Sequence, residues 1–146
     1  MMISTKGRYA LRVMIDLAQN SKEGFVSLKD VAKRQQISMK YLEMIVSILN
    51  RGKMVKSQRG KAGGYRLIKD PSEYSVGSII KLAEGTLAPV SCLEEGGSCD
   101  RMEKCVTYPL WKQLDEVIDD YLENVTLKDL MRSEEHTSEL QSRITI

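Results

Sequence analysis

Apolar side chains along this 146-residue chain recur at helical spacing, then briefly at strand spacing, then at helical spacing again. From Thr5 to Asn20 the apolar positions are Tyr9, Ala10, Val13, Met14, Leu17 and Ala18, which form one helical stripe capped by Ser4 or Thr5. Asn20 to Gly24 reads as a turn, and Phe25-Val26 as a short extended piece. Ser27 and Asp30 have capping-box spacing, with Asp in place of the usual Glu. Leu28, Val31 and Ala32 then follow at helical spacing, and Gln35-Gln36-Ile37 interrupts it as a turn. Ser38 is placed to cap the next helix. There Tyr41, Leu42, Ile45, Ile48 and Leu49 share one face, while Met39, Lys40, Glu43, Met44 and Ser47 share the other. Gly52 ends that helix, which the left-handed conformation open to glycine would explain. Met54–Ser57 and Tyr65–Ile68 are two strand-like runs joined by a glycine-rich tip, Arg59-Gly60-Lys61-Ala62-Gly63-Gly64, suited to a tight and closely approaching turn.

Beyond the hairpin the pattern returns to helix. Lys69–Glu73 is a loop in which Pro71 stops the strand. Ser75 caps a short helix through Ile79, Ile80, Leu82 and Ala83, ending at Gly85. Thr86 to Thr107 is a long loop of the kind usually reserved for function. Pro109 suits a first helical turn, and a helix of about 15 residues runs from it. Leu110, Leu114, Val117 and Tyr121 line one edge of that helix, and Trp111, Ile118, Leu122 and Val125 lie beside them. So wide an apolar stripe near the end of a small chain predicts a dimerisation helix. The expected fold is therefore mainly α with a small β-hairpin wing: a winged helix-turn-helix domain plus a long C-terminal helix that pairs two copies. The expected divisions are 1–85 for the helix-turn-helix and hairpin, 86–107 for the loop, and 108–131 for the dimerisation helix and a short end helix.

Charge sharpens this picture. Residues 1–69 carry 15 Lys+Arg against 4 Asp+Glu, and residues 70–146 carry 7 against 16, so a net charge of only +2 conceals a basic half and an acidic half. A basic surface favours a polyanion through counterion release. The basic half is also the half with the helix-turn-helix pattern. Together they point to double-stranded DNA, read by the outer face of the second helix of the pair (Ser38, Met39, Lys40, Glu43, Met44) and by the hairpin (Arg59, Lys61, Gly63, Tyr65). Lys6, Arg8 and Arg12 on the first helix are equally suited to the DNA backbone or to solvent. A generic helix pair beside a solvated basic loop is the plainer reading, and the hairpin following directly disfavours it.

Residues 132–146 show no core-facing pattern, and Arg132–Ser142 reads like an in-frame translation of a sequencing adapter. They are expected to be an artefact or a disordered tail, which leaves the true C-terminus open. The tail holds the only histidine, His136. Setting it aside removes Ser-His and Cys-His nucleophile pairs and His-based zinc catalysis. The glycine-rich tip lacks the order of a phosphate loop, and Glu94-Glu95 and Asp119-Asp120 read as solvated charges, so no enzyme is expected. No apolar run approaches the roughly 20 residues that span a membrane, and Met1–Lys6 lacks a signal-peptide core. The expectation is a cytoplasmic protein with reduced thiols.

The three cysteines, Cys92, Cys99 and Cys105, all fall in the long loop with the spacing C-x6-C-x5-C. An odd count in a reducing compartment argues against a disulfide framework. Zinc or an iron–sulfur cluster fits, but each wants a fourth ligand. Redox-active thiols and inert thiols are the other readings.

Four stretches carry a family resemblance: Ser4-Thr5-Lys6-Gly7-Arg8-Tyr9-Ala10, Ile37-Ser38-Met39-Lys40-Tyr41-Leu42-Glu43, Arg59-Gly60-Lys61-Ala62-Gly63-Gly64-Tyr65, and the cysteine loop running into Leu110-Trp111. Over about residues 1–131 the chain resembles the IscR/NsrR/CymR (Rrf-type) family of bacterial winged-helix regulators, most closely its iron–sulfur cluster assembly branch. The resemblance implies a homodimeric transcription factor on a palindromic operator, with Cys92, Cys99 and Cys105 as ligands of a [2Fe-2S] or [4Fe-4S] cluster. It also implies DNA-facing roles for Ser38, Lys40, Glu43 and Arg59. The chain departs from that branch in two ways: Tyr108 stands where the branch carries histidine, and the first cysteine spacing is one residue longer. The fourth ligand is thus open among Asp100, Glu103, a residue of the partner subunit and an exogenous thiol. A cluster-free repressor of cysteine metabolism, controlled by thiols or by a partner enzyme, and a metal-storage or redox adaptor without specific DNA binding are the competing readings.

Overall fold

A computed structural model describes residues 3–21, 24–89, 93 and 106–132. The elements run α1 (Thr5–Asn20), α2 (Leu28–Gln35), α3 (Met39–Arg51), β1 (Val55–Gln58), β2 (Gly64–Leu67), a 3-10 turn (Pro71–Glu73), α4 (Val76–Glu84), α5 (Tyr108–Glu123) and α6 (Leu127–Arg132). β1 and β2 pair antiparallel, with Val55 opposite Leu67 and Gln58 opposite Gly64. Val26 joins their edge by exchanging two backbone bonds with Tyr65, each 2.8 Å. The result is the mainly helical, hairpin-bearing winged-helix arrangement that the pattern predicts.

The helix starts follow from their caps. Ser4, Ser27, Ser38 and Ser75 are each extended in backbone, and each side chain accepts from an amide in the first turn that follows. Such a cap satisfies one of the N–H groups that a helix start leaves without an intrahelical acceptor. The segment after β2 contains more order than a loop. Asp70 and Glu73 form a complete capping box around the 3-10 turn, and two hydrogen bonds from Ser72, side chain then backbone, hold the Asp70 carboxyl below its usual pKa.

Gly52 departs from expectation. Its φ is −82°, not left-handed, and the positive φ belongs to Lys53 at 58°. Glycine is needed there for space, because a Cβ would collide with the side chain of Leu82 on α4. Helix α3 is closed by the left-handed Lys53, after which Met54 N–H returns to the Leu49 carbonyl at 2.9 Å.

The core is a single main cluster centred on Val13, Met14 and Leu17 of α1, Leu42, Ile45, Val46 and Leu49 of α3, Ile79 of α4 and Leu127 of α6. Full burial of each large aliphatic side chain stabilises by about 1.5–3 kcal/mol. Leu127 lies in that core, and its backbone N–H donates to the Tyr74 carbonyl at 3.1 Å, so α6 returns to the body built by residues 1–85. A smaller cluster of Val76, Ile80 and Leu87 receives Ile3, Leu122 and Val125.

Helix α5 has no buried residue. Its two apolar edges separate. Leu122 turns inward with Val125 just beyond the helix end, whereas Leu110, Leu114, Val117 and Tyr121 are 56, 38, 64 and 53% exposed. Lys81 of α4 bridges to Asp119 and Glu123 of α5, and Glu123 also accepts from the Ser75 hydroxyl. The hydrogen bond to Asp119, followed by that to Glu123, raises the Lys81 pKa against the opposing effect of burial. Among the described residues no helix is long and apolar enough to cross a membrane.

Candidate nucleic-acid interface

The two faces of α3 divide as their spacing predicts. Leu42, Ile45 and Leu49 are buried, joined by Val46, while Met39, Lys40, Glu43, Met44 and Ser47 are exposed. Ser38 is exposed too, and its Oγ accepts from Tyr41 N–H at 3.2 Å. The turn into α3 is sharp because Gln36 takes a left-handed φ of 55° and Ile37 returns its amide to Ala32 O.

A row on α1 fixes this helix pair. Thr5, Tyr9, Arg12 and Asp16 lie at helical spacing and meet α2 and α3 in turn. Thr5 Oγ1 lies 3.1 Å from Tyr41 Oη, and the Tyr9 and Tyr41 rings meet edge to face at 5.7 Å. Arg12 lies 4.8 Å over the Tyr9 ring and donates to the Gln35 side chain and carbonyl. Arg12 thus commits its Nε and one Nη to Gln35 although it is exposed like Arg8, for which no such tie is seen among the described residues. Asp16 is the buried charge among the described residues. It accepts two bonds from Arg34, at 2.8 and 3.0 Å, and one from Gln35 at 2.9 Å. The bond to Asp16 is the main reason the Arg34 pKa is raised.

The hairpin is held at its roots. Tyr74 is buried, and its hydroxyl accepts from Ile68 N–H at 3.0 Å and Lys69 N–H at 3.1 Å while donating to Met54 O at 2.7 Å. Both ends of the wing thus converge on one oxygen. At the tip, Arg59 and Lys61 are exposed and Gly60 has φ 107°. Gly63 is required by close approach, since a Cβ would strike the Gln58 carbonyl. Tyr65 is only partly exposed: its backbone pairs with Val26 and its ring rests on the core. Arg66 stacks over Phe25 at 5.7 Å.

The metal-ligating candidates Cys92, Cys99 and Cys105, with Asp100 and Glu103, lie outside the described residues, as does nearly all of the 132–146 tail. Tyr108 opens α5 half-buried, three residues after Cys105. Periodicity overlooked Asp16, Tyr74 and Glu84. A lone carboxylate between the core positions Met14 and Leu17 was the one available signal for Asp16.

Comparison with known proteins agrees with this geometry. Residues 3–133 match the family described as "Rrf2: Iron-dependent Transcriptional regulator". The HTH-type transcriptional regulator IscR of Klebsiella pneumoniae (strain 342) is 41% identical over 135 residues, covering 92% of this chain and 82% of that protein. IscR of Escherichia coli O1:K1 / APEC is 40% identical over the same length, covering 92% and 83%. These relatives are transcriptional regulators, not enzymes. Among solved structures, T. potens IscR superposes with a TM-score of 0.74 at 36% identity, covering 94% of this chain and 90% of that one. CymR (YrzC), the global cysteine regulator of B. subtilis, superposes with a TM-score of 0.73 at 39% identity, covering 90% and 96%. The helix pair, the root-pinned hairpin and the match over residues 3–133 lead to one conclusion: the chain belongs to the Rrf2 family of transcriptional regulators.

Proposed function

We propose that the chain is a homodimeric, DNA-binding regulator that reads a palindromic operator and responds to the state of its three cysteines. One observation carries the DNA reading: the whole outer face of α3, Met39, Lys40, Glu43, Met44 and Ser47, is left to solvent while its inner face is core. In this reading Ser38, Met39, Lys40, Glu43 and Met44 meet base edges and nearby phosphates. Arg59 and Lys61 at the wing tip meet the backbone or minor groove, with Gly63 and Tyr65 shaping the wing. The exposed edge of α5, Leu110, Leu114, Val117 and Tyr121, supports pairing with a second copy. A two-fold dimer would set its two α3 helices about 34 Å apart, one turn of DNA. Residues 1–85 would then bind DNA, 86–107 would sense, and 108–131 would pair the subunits and close the core.

Three thiols suit an iron–sulfur cluster, and the iron-dependent family and the IscR relatives support one here. Cys92, Cys99 and Cys105 would hold it, supplying soft thiolate donors, and the fourth position would fall to Asp100, Glu103, a partner residue or an exogenous thiol. The half-buried phenol of Tyr108 occupies the position where histidine was expected. The likeness to CymR, the global cysteine regulator of B. subtilis, favours a second reading in which the thiols act without a cluster.

Two experiments test these statements. Fluorescence anisotropy with duplexes selected by the wild-type chain from a random pool reads the DNA function. Specific binding should exceed binding to scrambled duplex, fall steeply with salt, and weaken by about 1–3 kcal/mol in Arg59→Ala. Equal affinity for all duplexes would reject it. An absorption spectrum with iron and sulfide assay on anaerobically purified protein reads the sensor. Colour lost in Cys99→Ser supports the cluster, and a colourless protein that binds its operator supports the thiol reading.

A further inference from the structure

Glu84 is the last residue of α4, yet its carboxylate serves α1. Its Oε1 accepts from Ser4 N–H at 2.9 Å, from the Ser4 hydroxyl at 2.7 Å and from Gly7 N–H at 2.9 Å. The first turn of a helix leaves its N–H groups without intrahelical partners, and its positive end favours an anion. Glu84 thus supplies from another element what a local acidic cap would supply. Gly7 makes room for it, because a Cβ there would lie 2.6 Å from Glu84 Oε1 and 3.2 Å from its Cγ.

The two residues so held, Ser4 and Gly7, bracket Thr5, whose hydroxyl lies 3.1 Å from Tyr41 Oη. One turn on, Tyr9 meets the Tyr41 ring. Tyr41, half-buried in the first turn of α3 and packed against the core, lies in sequence between Lys40 and Glu43 of the exposed face. The N-terminal turn of α3 is thereby braced against exactly that part of α1 which Glu84 clasps. We infer that Glu84 is a positioning residue for DNA reading: by fixing the first turn of α1 it fixes, through Thr5 and Tyr9, the N-terminal turn of α3. This rests on the reading of α3 as the recognition helix.

The test is a double-mutant cycle on the full chain, with duplexes selected by the wild-type protein and scrambled duplexes as probes. Glu84→Ala is expected to weaken selected-duplex binding about tenfold, within the range of one misplaced base contact. Scrambled-duplex binding should change less than about twofold, because phosphate contacts tolerate small shifts of the helix. Glu84→Gln retains an oxygen acceptor for all three donors and should stay close to wild type. Tyr41→Phe cuts the Thr5 branch of the path while keeping the ring contact to Tyr9. The Glu84→Ala, Tyr41→Phe double variant should therefore lose less than the sum of the two single losses, whereas independent sites that do not touch would add. Gly7→Ala displaces the carboxylate while improving helix propensity, so it provides the same reading should Glu84→Ala melt too low to assay. Additive losses in the cycle, or equal losses on selected and scrambled duplexes, would reduce Glu84 to a fold-stabilising tie and overturn the inference. A wild-type chain that fails to discriminate between the duplexes would instead sink the DNA reading, and this inference with it.

Discussion

The Asp16–Arg34 pair makes a directional prediction about stability. The two side chains are bonded to each other but differ in exposure: Asp16 is 2% exposed and Arg34 is 39% exposed. Removing Arg34 strands a buried carboxylate. Breaking a buried pair in this way costs about 3–5 kcal/mol; since the Gln35 amide still donates at 2.9 Å, about 3 kcal/mol is expected. Removing Asp16 leaves a guanidinium that water can reach, so the loss falls toward about 1.5 kcal/mol, the lower range for charge-assisted bonds. Alanine is also a better helix former than aspartate by about 0.6 kcal/mol, which widens the gap. Urea unfolding followed by circular dichroism, at one fixed protomer concentration to hold any dimer linkage constant, should place the Arg34→Ala midpoint about 0.5–1 M below that of Asp16→Ala. Equal midpoints, or the reverse order with unchanged slopes, would show that unequal burial does not govern this contact.

Other outcomes follow from the same geometry. Tyr74→Phe deletes the oxygen that serves Met54, Ile68 and Lys69, and should cost about 2–4 kcal/mol in thermal or urea unfolding, with faster hydrogen exchange at the Ile68 and Lys69 amides than in the wild type. Burial works against the Glu84 carboxylate, but the bonds from Ser4 and Gly7 and the charge of Lys6 outweigh it, so its pKa in the folded protein is lowered from 4.5. The clasp therefore stabilises fully above that value and is lost as pH falls through the lowered one; melting scans from pH 6 to 3 should show a steeper acid loss in wild type than in Glu84→Gln, and parallel curves would refute it. If the chain pairs through α5 as proposed above, Val117→Glu, at a 64%-exposed position of that helix, should sediment closer to a monomer than the wild type does while helical content stays unchanged; equal sedimentation of the two would refute pairing through this edge.

Much of this architecture is legible in the residue pattern because it is local. Four serines announce four helix starts, since capping needs only a side-chain oxygen beside free amides. The two faces of α3 follow from 3.6-residue spacing. What escapes is long-range. Arg34 finds Asp16 across 18 residues and Ser4 finds Glu84 across 80, and no periodicity encodes a partner. Gly52 shows the same limit, since its identity answers to Leu82 on another helix and not to its own φ. Val46 was missed as core because its exclusion from the stripe assumed one narrow face, whereas α1, α4 and the hairpin surround α3 more broadly. Within the interface, the exposure of Arg59 and Lys61 at the tip accords with the pattern, while the oxygen that steadies their hairpin lies in a segment that reads as plain loop.

That single oxygen has a consequence for how such a protein can diversify. With both roots of the hairpin tied to Tyr74 and its edge tied to Val26, the tip from Arg59 to Ala62 contributes nothing to the core. Its side chains are free to drift under selection for a different target while the frame beneath keeps its stability. The wing is in this sense a detachable cassette: on the DNA reading proposed above, a designer seeking a new operator preference would exchange Arg59, Lys61 and Ala62, keep Gly60 for its positive φ and Gly63 and Gly64 for the close approach, and leave Tyr74 untouched.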